Sequence, residues 1–119
     1  MVFLKTEQEM AEKMHADLLG KVRAVIEAED WRQLRLHALD ALTQRLIVAQ
    51  RYADATSAAL AAVKAEPLRE TAHAALIRVH VAEGNRTEAI AAFDRYQTMI
   101  REEMDLEPSP TIKALVDNL

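Results

Sequence analysis

Apolar residues recur in steps of three and four along almost the whole chain, and no stretch alternates apolar with polar as a half-buried strand does. That pattern confines the 119 residues to helices. Ala, Leu, Glu and Arg dominate, and only 2 Gly and 3 Pro interrupt them. Half the residues are apolar and 29% charged, which excludes disorder, collagen-like repeats and a turn-rich β-sandwich. A chain of this length buries roughly two thirds of its unfolded surface, enough for one core without staples. With no cysteine there is no disulfide framework, thiol nucleophile or Cys-type zinc site. The apolar runs are broken well before the roughly 18 residues of a membrane span, and the Met1 end lacks a basic segment followed by a hydrophobic core. These features predict a cytoplasmic protein that is neither exported nor membrane-bound. The 15 Lys and Arg stand against 19 Asp and Glu, a net charge of -4, whereas a bare nucleic-acid binder needs a basic surplus.

Caps and stops divide the chain. Thr6 with Glu9, Asp30 with Gln33, and Asn85 with Glu88 each place a side-chain acceptor three residues before a Glu or Gln, the reciprocal pairing that satisfies free N–H groups at a helix start. Ser109 before Pro110 marks a further start, Pro67 a stop, and Gly84 a left-handed C-terminal position. The signals predict helices over about 6–28, 31–49, 52–65, 68–83 and 86–104, with a short one over 110–116. The first carries Met10, Met14, Leu18, Val22 and Val25, and the second Trp31, Leu34, Leu39, Leu42 and Leu46. Ala55, Ala59 and Ala62 give the third a small buried face, Leu76 and Val79 mark the fourth, and Ile90, Phe93, Tyr96 and Ile100 the fifth. Trp31, Tyr52, Phe93 and Tyr96 fall at core-facing positions. Gly20 weakens the first helix by about 1 kcal/mol relative to Ala and marks a bend or break.

An internal repeat decides between a closed bundle and a stack of helical hairpins. Sliding the chain by about 34 residues, the length of a tetratricopeptide unit, brings Leu42 onto Leu76, Ala55 onto Ala89, Ala59 onto Phe93 and Ala62 onto Tyr96. The turns align as well, Gln50-Arg51-Tyr52-Ala53-Asp54-Ala55 on Gly84-Asn85-Arg86-Thr87-Glu88-Ala89. The expectation is therefore an all-α stack in which four central helices form two antiparallel hairpins.

Several ordered motifs make the resemblance more particular. Pro67-Leu68-Arg69-Glu70, Glu83-Gly84-Asn85-Arg86, Phe93-Asp94-Arg95-Tyr96 and Glu107-Pro108-Ser109-Pro110 follow one another at characteristic separations, preceded by the segment beginning Trp31-Arg32-Gln33-Leu34. From about Trp31 to Leu119 the chain resembles the bacterial transcriptional activator domain of regulators in the Streptomyces antibiotic regulatory protein family. The resemblance implies tetratricopeptide-like hairpins in a short right-handed stack, with an N-terminal helix over 1–30 outside the domain of 31–119 and a C-terminal capping helix. It also implies a regulatory interaction or oligomerisation role in transcription. Gln50 and Asp105 stand where the family usually has Gly, both at loop or cap positions that a non-Gly residue can hold at modest cost. The family's usual N-terminal winged-helix domain cannot fit into about thirty residues, so the chain is either a piece of a longer regulator or a stand-alone relative without its own DNA reader.

Chemistry-bearing constellations are few. No phosphate-cradling Gly loop, zinc-binding His-Glu-x-x-His or nucleophile elbow occurs, and neither an enzyme nor a cofactor is expected. His73 and His80 lie about two turns apart, too far for a metal pair without further ligands. Glu102, Glu103 and Asp105 read as a solvated helix end, and Arg69, Arg78, Arg86, Arg95 and Arg101 are scattered rather than striped. In the hairpin stack His37, Asp40, Gln44, Thr71 and Arg78 fall near inward positions of the first helix of each hairpin, where mixed polar groups suit a bound peptide or helix. The stripe of Met10, Met14, Leu18, Val22 and Val25 has to pack either on its own hairpin or on a second protomer. Ile112, Leu115 and Val116 are expected to cover the last hairpin. Two functions follow: an interaction domain of a transcriptional activator, contacting a second protomer or the transcription machinery without binding DNA itself, or a tetratricopeptide-like adaptor unrelated to transcription.

Overall fold

The computed structural model describes residues 2–119, with side chains described from residue 6 onward. Its five helices are α1 (Val2–Val48), α2 (Tyr52–Ala65), α3 (Glu70–Glu83), α4 (Arg86–Met104) and α5 (Pro110–Asp117), and no strand occurs among the described residues. The chain divides into two units, Met1–Arg35 and Leu36–Leu119.

The expected pair of N-terminal helices is a single helix of 47 residues. Asp30 and Thr6 therefore lie inside α1 and do not cap helix starts. At the expected break the Glu29 carboxylate accepts bonds from Arg32 Nε at 2.9 Å, Arg32 Nη2 at 2.6 Å and Gln33 Nε2 at 3.0 Å. Pairs three and four residues apart share a helix surface and stabilise it, so Gln33 braces the continuous helix through Glu29 and does not reach back to Asp30. These bonds, Arg32's first and Gln33's second, hold the exposed Glu29 carboxyl down to about 2. Gly20 produces no break either. Its missing side chain faces open space, so helical hydrogen bonding continues past it at the cost of propensity alone.

In the second unit, α3 packs against α2, α4 and α5, and α5 also touches α4. With neighbours on several sides, α3 buries every residue from Ala72 to Ile77, and Val79 beyond them. Ala55, Ala59, Ala75, Ala89 and Ala92 let helix axes approach closely, and Phe93, Tyr96, Ile100 and Ile112 fill the space between them. Leu46 and Ile47 from the last turns of α1 pack on this cluster.

The buried positions of α1 in this unit are Leu36 and Thr43, flanked by half-buried Leu39, Leu46 and Ile47. The expected stripe was wrong at Trp31, Leu34 and Leu42, which are exposed. Helical spacing marks which residues share a face, and the face that meets the core is the one carrying Leu36, Leu39, Thr43 and Ile47. Thr43 enters the core because its hydroxyl donates to the Leu39 carbonyl at 2.8 Å, satisfying itself within the helix.

The repeat is visible in the backbone. The Gln50 N–H donates to Ile47 O and the Arg51 N–H to Leu46 O, each at 2.9 Å; 34 positions on, Gly84 donates to Val81 O at 3.0 Å and Asn85 to His80 O at 2.8 Å. Both turns are thus the same Schellman closure, with a left-handed residue at its centre. Beyond them Ala55 and Ala89 are both buried, as are the paired positions Ala59 with Phe93 and Ala62 with Tyr96. Leu42 breaks the correspondence, being exposed where Leu76 is buried. Helix α2 ends at Ala65, just before Pro67. Asn85 and Ser109 do precede helices, but neither side chain makes a cap bond, so the expected box at Asn85 and Glu88 is not formed.

Candidate interaction surfaces

The sequence motifs resolve into structural locks. After Pro67 stops α2, its carbonyl accepts a 2.6 Å bond from His73 Nε2–H, fixing the loop onto α3. The His73 ring also packs on Tyr96, centroids 4.6 Å apart. Burial above all pushes the His73 pKa down; the Arg95 charge adds to this, and the Pro67 carbonyl opposes it. Arg69 reaches Asp40 on α1 at 3.1 Å, a pair mostly withdrawn from solvent. Glu70 is a hub: one carboxylate oxygen accepts from the Ser109 N–H at 2.8 Å and from the Tyr96 hydroxyl at 3.3 Å. Burial and the Glu70 charge raise the Tyr96 pKa to about 12. In the last motif Glu107 accepts from Arg101 at 2.7 Å, and Pro110 opens α5 where a missing N–H costs nothing. Ile112 is then buried, with Leu115 and Val116 packed on the core, as the capping role requires.

The five polar residues expected on an inner face are dispersed in their roles. Asp40 is held by Arg69, while His37, Gln44 and Thr71 are exposed and Arg78 is half-buried. None of the five side chains bonds to another. The sequence alone does not reveal the Asp40–Arg69 pair, because 28 intervening residues separate two charges that meet only once α2 folds back.

Two adjoining hollows form an apolar groove in the second unit. One, of about 260 Å³, lies among Leu60 and Val63 of α2, His73 and Leu76 of α3, and Arg95 and Met99 of α4. The other, of about 340 Å³, shares Met99 and is rimmed by Glu66, Pro67, Leu68 and Glu103. Neither brings together groups suited to catalysis, and among the described residues no three His, Asp or Glu side chains are placed to hold a metal. No helix there is long and apolar enough to cross a membrane.

In the first unit Met10, Met14, Leu18, Val22 and Val25 are 55–69% exposed, with Leu19 and Ile26 exposed beside them. Within the first unit nothing packs on the expected self-association stripe.

Comparison with known families settles the kinship. The family model described as bacterial transcriptional activator domain matches residues 9–119. The chain belongs to that family. No curated protein and no solved structure matches it. The match takes in all the locks described above, and within this bacterial transcriptional activator domain those motifs shape turns and helix junctions. It also begins ahead of Trp31, so the whole exposed stripe from Met10 to Ile26 lies inside the matched region.

Proposed function

We propose that this bacterial transcriptional activator domain serves as a protein-interaction and oligomerisation element of a cytoplasmic regulator, and that it acts by bringing protomers together. The supporting observation is the uncovered stripe: seven large apolar side chains between Met10 and Ile26 stand half or more exposed on one helix. A patch of that kind costs free energy in water and is recovered by association. The exposed His37, Gln44 and Thr71 are the remaining candidates for polar contact with the transcription machinery. Light scattering on the full chain, eluting from a sizing column at about 100 µM, tests the reading. A mass of about twice 13.4 kDa is expected for the chain and a single 13.4 kDa species for Leu18→Glu/Val22→Glu. A wild-type chain that stays at 13.4 kDa would refute self-association.

A further inference from the structure

The charges along the first unit are unevenly distributed. Over residues 6–20 Glu7, Glu9, Glu12 and Asp17 stand against Lys13, a net of -3; over residues 21–35 Lys21, Arg23, Arg32 and Arg35 stand against Glu27, Glu29 and Asp30, a net of +1. The apolar stripe occupies the middle of this gradient and spans about 24 Å of helix from Met10 to Ile26.

We infer that the occupant of this stripe is the same stripe of a second copy, lying antiparallel to it. The inference rests on the self-association reading above and adds its orientation. A two-fold axis near the middle of the stripe makes one patch complementary to itself, as a closed dimer requires. Antiparallel pairing sets each acidic half beside a basic half. Parallel pairing would stack -3 on -3, a repulsion that grows as water leaves the apolar seam.

The two orientations respond oppositely to the same perturbations. Replacing Glu7, Glu9 and Glu12 together by Gln removes the acidic end without breaking helix propensity. Sedimentation equilibrium of the full chain should then show dimer affinity weakened by roughly three- to ten-fold for antiparallel pairing, whereas parallel pairing would be tightened. Raising the salt should weaken the wild-type dimer in the first case and strengthen it in the second. The chain has no native cysteine, so single thiols can be placed at Gln8 and Gln33. With a short bismaleimide linker, a mixture of Gln8→Cys and Gln33→Cys chains should cross-link to each other and Gln8→Cys chains alone should not. Efficient cross-linking of Gln8→Cys to itself, or tightening by the triple Gln variant, would overturn the orientation while leaving self-association standing. A wild-type chain that stays monomeric would overturn both.

Discussion

Gln50 and Asp105 show how much a single backbone angle can carry. Both adopt left-handed conformations, φ 59° and 53°, as Gly84 does at φ 82°. A side chain in that region meets the following carbonyl and costs on the order of 1–2 kcal/mol. Gln50 is exposed, so Gln50→Gly removes the strain without losing a packing contact and should raise stability by about 1 kcal/mol in a urea titration. Asp105→Gly should gain less, because Asp tolerates this region better. Gly84→Ala should lose about 1 kcal/mol. Gly20 behaves oppositely: it is helical with open space around it, and Gly20→Ala should raise helix stability by about 1 kcal/mol. His73 carries a pH signature. Its folded pKa lies below the ordinary value, so as pH falls below about 6.5 the unfolded chain binds a proton that the fold refuses. Stability contributed by the neutral ring is complete above that pH and is lost on descending toward the folded pKa. The melting temperature should fall between about pH 7 and pH 5, and His73→Phe should flatten that part of the profile.

At the scale of elements, junctions matter as much as helices. Glu70 ties the start of α3 to α4 through Tyr96 and to the α5 approach through Ser109. Glu70→Ala leaves a buried hydroxyl and a backbone N–H without their acceptor and should cost about 1–3 kcal/mol in chemical denaturation. In the same variant ultraviolet titration should show Tyr96 ionising below its present value of about 12. Glu70→Gln keeps an acceptor oxygen and should cost less. Helix α5 depends on Ile112, which is 1% exposed. Ile112→Ala should lower stability by about 2–5 kcal/mol, and a chain ending at Asp105 should melt clearly lower, because the last hairpin would expose its apolar end. An unchanged melting curve after truncation would reduce the tail to a linker.

For the molecule as a whole, the acidic balance and the absence of a groove-entering helical unit in the sequence predict no sequence-specific DNA binding by this chain alone. Gel-shift and anisotropy titrations at physiological salt should show no nanomolar complex with a defined duplex.

The sequence by itself determined what depends on neighbours along the chain. Pro67 forbids continuation of α2, Gly84 admits the left-handed turn, and Ser109-Pro110 opens α5, because each acts through its own backbone angles. The 34-residue correspondence was legible for the same reason, since turn chemistry repeats with the turn. Where helical propensity was ambiguous, cap patterns misled: Asp30 with Gln33 looked like a start, while the stronger Glu29, Arg32 and Gln33 bonds run the helix straight through. Periodicity tells which residues share a face, but not which face finds a neighbour. Only the tertiary structure decided that Thr43 is buried, and that Arg69 meets Asp40. Those outcomes depend on contacts between segments far apart in sequence, where burial is gained only once the chain has closed on itself.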